Sequence, residues 1–254
     1  MNITLDRLIA SEVAYTRMRA EIIGRWPDNC FGVALRQEGA AFGFQVKSVP
    51  TPWLNRVMGR LTPAEVPAWA AWFRAAGVRG RFELLPDRDP PALTEALLAA
   101  GLRPAGGDTI VAATPQITAA PKDIWQAKSE AEVEQFLDTH LEGLGLPEAI
   151  RDGAKGNMRG WRGLQGWNLL IAMRDGEPAG TCVLFIEAGV AYIADMATRT
   201  IFRQRGVQTD LLAQCHLLSK DCDIIWARCA FQSGSHRNIL RSGLRTLCTT
   251  SFWQ

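Results

Sequence analysis

Apolar and polar positions follow one another along this chain in two rounds of similar order, each mixing helix-like and strand-like periods. In the first round, residues 1–26 (MNITLDRLIASEVAYTRMRAEIIGRW) repeat apolar side chains at helical spacing between Asp6, Arg7, Glu12, Arg17, Arg19 and Glu21, which predicts an amphipathic helix. Strand-like runs follow at 30–35, 43–49 and 53–61. A helix is then predicted to start at Thr62-Pro63-Ala64-Glu65, where a Thr N-cap, Pro at the first position and Glu three residues on form a capping box. A strand at 81–85, a helix at 92–100 and a strand at 109–113 complete the round.

The linker 114–122 (TPQITAAPK), with two prolines, separates it from the second round. There Ser129 and Glu132 form another capping box and start a helix. Strand runs at 168–173, 180–186 and 190–196 are joined by turns at Asp175-Gly176 and Ala188-Gly189, which predicts consecutive hairpins. Leu211, Leu212, Cys215, Leu217 and Leu218 recur as a helix, 223–230 reads as a buried strand, and a short helix and a last strand close the chain. The expectation is an α/β (α+β) protein of two domains, 1–118 and 119–254.

Composition narrows the classes. At 254 residues, 47% hydrophobic and 21% charged, the chain is long enough for two cores. A net charge of +2 argues against nucleic acid or an anionic membrane as partner. The charges within 1–26 exclude a signal peptide or membrane span there, so a cytoplasmic protein is expected. The six cysteines (Cys30, Cys182, Cys215, Cys222, Cys229, Cys248) lack zinc-site spacing and read as free thiols. His140, His216 and His236 are too dispersed to build a metal site, and no metal is expected.

The most informative stretch is 198–212, TRTIFRQRGVQTDLL, a basic glycine-containing turn between a strand and an apolar helix. A helix starting near Gly206 leaves its first N–H groups without internal acceptors, and these with the helix dipole and Arg203 and Arg205 suit a phosphate group. Gly206 lets the backbone approach such a ligand without a Cβ in the way.

Arg203, Gln204, Arg205, Gly206 and Val207 resemble the signature of the GNAT acetyltransferase superfamily: Arg or Gln, two residues, Gly, one residue, Gly or Ala. Gln208 departs from it, standing where a small residue is usual. The element order from about 124 to 253 is similar to the GNAT order as well. The resemblance implies two GNAT-like domains, each a mixed, mostly antiparallel sheet flanked by helices, with acetyl-CoA (coenzyme A) bound by the second. It implies that Arg203, Gln204, Arg205, Gly206, Val207, Gln208 and Thr209 surround the pyrophosphate. It also implies that the strand before the turn is splayed, so that Met196, Ala197 and Thr198 meet the pantetheine and thioester through their backbone. Ser233, Ser235 and Asn238 would lie along the pantetheine arm, with Ser235 alternatively capping the short helix. The first half resembles a degenerate GNAT domain in its element order and in Asn55-Arg-Val-Met-Gly59. It has no phosphate turn, and Pro63 lacks the N–H an anion would use.

The implied reaction is direct transfer of an acetyl group to the amine of a small-molecule or amino-acid-like acceptor, by a monomer or homodimer. Holding both substrates supplies much of such a rate through proximity. An alkylamine of pKa about 10.4 still costs roughly 4 kcal/mol to deprotonate at neutral pH, so a base helps. Asp195, interrupting an apolar strand just before the turn, reads as that base or as an edge carboxylate paired with Arg199. Ile239 stands where many GNAT enzymes carry an acidic Tyr, and Cys248 stands where related tandem sequences have one, so Cys248 reads as the thiolate's acid or as a packed thiol. Ser233, Ser235 and His236 lack the nucleophile elbow and placed carboxylate of a hydrolase triad. The glycine-rich region 141–167, with Trp161, Arg162 and Trp167, reads as an acceptor border or as ordinary loop. Trp53, Trp69 and Trp72 read as core or as an interface. A second reading keeps the coenzyme site without the chemistry: a non-catalytic acyl-CoA-binding sensor or interaction module.

Overall fold

A computed structural model of the chain describes residues 4–49, 51–85, 91–116, 121 and 123–254. Contacts divide it into two units, Leu5–Thr109 with Cys248–Gln254 and Ile110–Leu247. This division differs from one at 118: the strand at 109–113 joins the second unit's sheet, and the last strand returns to the first unit's sheet. Residues 117–120 and 122 of the expected linker lie outside the described residues.

The first unit orders its elements as α1 (Leu5–Gly24), β1 (Val33–Glu38), β2 (Ala41–Val46), β3 (Arg56–Gly59), α2 (Val66–Ala75), β4 (Arg81–Leu84) and α3 (Pro91–Ala99). The run at 30–35 begins its strand late because Asp28, Asn29 and Gly32 all adopt positive φ in a turn. The run at 53–61 shortens to β3 because the buried Asn55 side chain holds the preceding loop, donating to the carbonyls of Val49 and Thr51 at 2.9 Å each. Trp69 is fully buried with Phe73, Phe82, Leu93 and Leu97, whereas Trp53 is 54% exposed. Gly43 in β2 makes room for that core, since a Cβ there would sit 2.2 Å from the Trp69 ring. The helix start at Thr62 is closed from within: the Glu65 carboxylate accepts from the Thr62 N–H at 2.7 Å and its hydroxyl at 2.8 Å.

The second unit takes in β5 (Thr109–Ala113), β6 (Ile124–Gln126), α4 (Glu130–Gly143), α5 (Glu148–Met158), β7 (Trp167–Arg174), β8 (Glu177–Glu187), β9 (Val190–Thr198), α6 (Val207–Leu218), β10 (Ile224–Cys229), α7 (Gly234–Arg241) and β11 (Arg245–Thr249); β12 (Ser251–Trp253) follows. The two sheets run β1-β2-β3-β4-β12 and β11-β5-β10-β9-β8-β7-β6. Pairing is antiparallel from β6 through β9 and parallel between β9 and β10. Asp175-Gly176 and Ala188-Gly189, all at positive φ, make the expected tight hairpin turns. The fold is therefore mixed α/β with mostly antiparallel sheets flanked by helices. No helix among the described residues is long and apolar enough to cross a membrane.

Region 141–167 differs from an open loop. It holds α5, which Gly153 and Gly156 concealed by their low helix propensity. Trp161 and Trp167 are 2% and 7% exposed, with rings 5.3 Å apart, in a cluster with His140 and Phe185. They pack the core and are not exposed aromatics.

Gly180 in β8 sets the position of α6. A Cβ there would lie 2.6 Å from a Val207 methyl and 2.8 Å from the Ala197 carbonyl oxygen. Gly180→Ala is expected to cost about 1–3 kcal/mol in urea unfolding, as overpacking does. Gly234→Ala, whose Cβ meets nothing within 4 Å at the start of α7, should be neutral or stabilising. Equal stability of the two variants would contradict this packing.

Candidate functional site

β9 begins with a strand on each side and ends with one. Along β8 its register runs from Glu187↔Val190 to Gly180↔Thr198, but Val183 faces both Ala194 and Asp195, a β-bulge of one extra residue. Pairing with β10 stops at Ala227↔Ile193, just before the bulge. From 194 to 198 the far edge of β9 therefore has no strand partner, and the two parallel strands part. Gly143, at the end of α4, packs so closely on this segment that a Cβ would lie 3.0 Å from the Thr198 nitrogen.

The open edge leads into a cavity of about 650 Å³ lined by Met196, Ala197 and Thr198 from β9 and by Arg203, Gln204, Gly206, Val207, Gln208 and Thr209 from the turn and first turn of α6. Ser235 and Asn238 of α7 close it, joined by Gly143, Phe202 and Gly234. Gly206 sits at φ 76° as the residue before α6, and no side chain caps that helix. The N–H groups of the first turn thus lack internal acceptors and carry the positive end of the helix dipole. Gln204, at φ 63°, bends the turn sharply without glycine.

Two expected contributors face elsewhere. The Arg205 guanidinium bonds the Asp175 carboxylate at 2.5 Å in the β7–β8 turn and lies over Phe202, so its charge is spent outside the cavity. Ser233 is the cap of α7, accepting from the His236 N–H at 3.0 Å, which leaves Ser235 free of that task. His236 is itself committed: its Nδ1 accepts from the Gln232 N–H at 3.1 Å, and its Nε2 pairs with the Thr246 hydroxyl 3.3 Å away. Arg174, which the sequence did not single out, pairs with Asp210 in the first turn of α6. Of these arginines, Arg203 alone lines the cavity.

Gln208, the departure from the signature, spans from α6 to α7. Its amide nitrogen donates to the Ser235 hydroxyl at 2.8 Å, and its amide oxygen accepts from Asn238 at 2.8 Å. Behind it lies a smaller cavity of about 90 Å³ in the gap between the parting strands, lined by Ile193, Ala194, Met196, Ala227, Arg228 and Ile239 as well as Gln208 and Ser235. Met196, Gln208 and Ser235 line both spaces. Arg228 in the inner one was missed because it reads as a lone charge within a buried strand.

Asp195 is half-buried at the bulge, and its neighbours Ala194 and Met196 line the cavities while it does not. Cys248 lies in β11, the outer strand of that sheet order, and does not line the cavity. Cys182 of β8 and Cys215 of α6 meet at 3.6 Å without a disulfide, and burial pushes the Cys182 thiol up, away from thiolate chemistry. Among the described residues no three His, Cys, Asp or Glu side chains gather to hold a metal.

No protein-family model matches the chain, and no curated protein matches it in sequence. Solved structures do. A GCN5-related N-acetyltransferase from Kribbella flavida aligns over 96% of this chain and 95% of its own at 17% identity and a TM-score of 0.66. A tandem GNAT protein from the clavulanic acid biosynthesis pathway aligns over 100% and 96% at 14% identity and 0.62. A GCN5-related N-acetyltransferase from Sphaerobacter thermophilus aligns over 97% and 90% at 14% identity and 0.59. With its strand order, bulged β9 and uncapped α6, the chain has the GNAT acetyltransferase fold in its tandem form.

Proposed function

We propose that the protein is a cytoplasmic N-acetyltransferase that uses acetyl-CoA to acetylate the amine of a small molecule by direct transfer. One observation carries the reading: the unpaired edge of β9 and the uncapped start of α6 face one continuous cavity. Such a pair of features suits an extended amide-bearing chain ending in a pyrophosphate. In this reading the N–H groups of Val207, Gln208 and Thr209 and the side chain of Arg203 hold the pyrophosphate. The edge from Met196 to Thr198 holds the arm, and Ser235 and Asn238 border it. The bound coenzyme supplies an acetyl thioester as acyl donor. In this reading Asp195, half-buried at the bulge, takes the proton from the acceptor's ammonium. The corresponding helix start in the first unit is not open to an anion in this way, because the Glu65 carboxylate occupies it.

The bridge at Gln208 favours a second reading, a non-catalytic acyl-CoA-binding protein. It stands between the outer cavity and the inner gap, and Ile239 puts no acid there. Turnover separates the readings.

Titration calorimetry is expected to give micromolar acetyl-CoA binding. Gly206→Val, which places a β-branched residue at φ 76°, should abolish it. Arg203→Gln should weaken it about tenfold, as loss of a charge-assisted hydrogen bond does, while Arg205→Gln leaves it unchanged. Gln208→Ala should tighten it by freeing Ser235 and Asn238. Equal losses at Arg203 and Arg205 would contradict the assignment.

Thiol release from acetyl-CoA across a panel of amines should identify an acceptor. Asp195→Asn should then lower kcat about a hundredfold or more without changing the KM for acetyl-CoA, the signature of a lost base. Coenzyme binding without thiol release on any amine would favour the second reading.

A further inference from the structure

The first unit holds a surface groove of its own, about 570 Å³, bounded on one side by α1 and on the other by Gln37, Ala40, Phe42, Gly59 and Leu85. Asp6, Ile9, Ala10, Val13, Ala14 and Arg17 line it from the helix, one residue or pair per turn. From Asp6 to Arg17 that face runs about 16 Å at the ordinary helical rise. The walls are chiefly apolar, and the polar groups sit at the two ends.

The ends differ. Arg60 lies 3.6 Å from Asp6, so its charge is answered, although both groups are exposed. Arg17 has no such answer: its guanidinium donates to the Gln37 amide oxygen at 3.0 Å and lies 4.4 Å from the Phe42 ring centroid, and no carboxylate among the described residues pairs with it. Gln37 is itself fixed, since its amide nitrogen donates to the carbonyls of Gly39 and Ala41 at 3.0 Å each. The guanidinium is thus held in place by a neutral amide and an aromatic face, with most of its five N–H donors left over. A cavity of this size with apolar walls and one fixed polar anchor has the build of a small-molecule site.

We propose that this groove binds a small amphipathic carboxylate, its head on Arg17 and its alkyl chain along Ile9, Ala10, Val13 and Ala14. A single unanswered cation matches a singly charged head better than a phosphate, and a guanidinium fork takes a carboxylate through two parallel hydrogen bonds. The apolar length selects for chain. Neither feature belongs to the cavity at α6, and the proposal does not depend on coenzyme binding.

The test is titration of the full-length protein with hexanoate, octanoate and decanoate, and with decanol as the neutral control. Saturable binding is expected, tightening about tenfold for each two added methylenes. Arg17→Gln should weaken decanoate about tenfold or more and leave decanol unchanged. Ala14→Trp, which fills the groove, should abolish both; Arg17→Gln keeps the apolar walls and serves if Ala14→Trp does not fold. Absence of saturable decanoate binding, or binding that Arg17→Gln leaves intact, would overturn the proposal. So would light scattering that finds a dimer in which Ala14→Trp disrupts association, because a second copy of the chain would then be the groove's occupant.

Discussion

One extra residue in β9 governs the geometry of the proposed coenzyme site. A regular β9 would carry its parallel pairing with β10 past Ile193, and every backbone group from Ala194 to Thr198 would be used within the sheet. The two-against-one pairing of Ala194 and Asp195 with Val183 turns the strand, ends the ladder at Ala227 and leaves an unpaired edge. Unpaired backbone groups away from bulk water are costly unless a partner arrives. The bulge thus leaves backbone groups that a ligand can pair with, and it holds Asp195 half-buried between Ala194 and Met196, which line the cavities.

The remaining features keep that opening in register with α6. Gly143 lets α4 press onto the end of β9, and Gly180 lets Val207 sit against β8, so the helix begins where the strand ends. The charges of the turn are sorted: Arg205 answers Asp175, Arg174 answers Asp210, and Arg203 faces the cavity. Under the proposed function, anion binding here would rest on backbone N–H groups more than on side-chain charge. The contrast with the first unit is chemical. Its corresponding helix start carries Pro63, which has no N–H, and Glu65, whose carboxylate fills the place of an anion.

Much of this was legible in the sequence because it lies in local signals. Hairpin turns at Asp175-Gly176 and Ala188-Gly189, capping residues at Thr62 and Ser129, and the turn around Gly206 each act within a few residues. Eleven of the residues expected around the coenzyme do line the cavity. The misses depend on partners distant in the chain. Arg205 looked available until Asp175, thirty residues earlier, was brought beside it. Cys248 does not line the cavity, and the strand order that puts β5 between β10 and β11 has no local sign. The bulge itself has no local sign, since Ala194 and Asp195 read as an ordinary alternation, and the Gln208 bridge needed α7 laid against α6.

The most direct measurement is residue-resolved amide hydrogen exchange with and without acetyl-CoA. Added coenzyme is expected to slow exchange at Met196–Thr198 and at Val207–Thr209 together, with residues 5–24 of α1 and 62–66 of the first unit unchanged. Protection confined to the first unit, or absent from both segments at saturating coenzyme, would contradict a site built from the open edge of β9 and the uncapped start of α6.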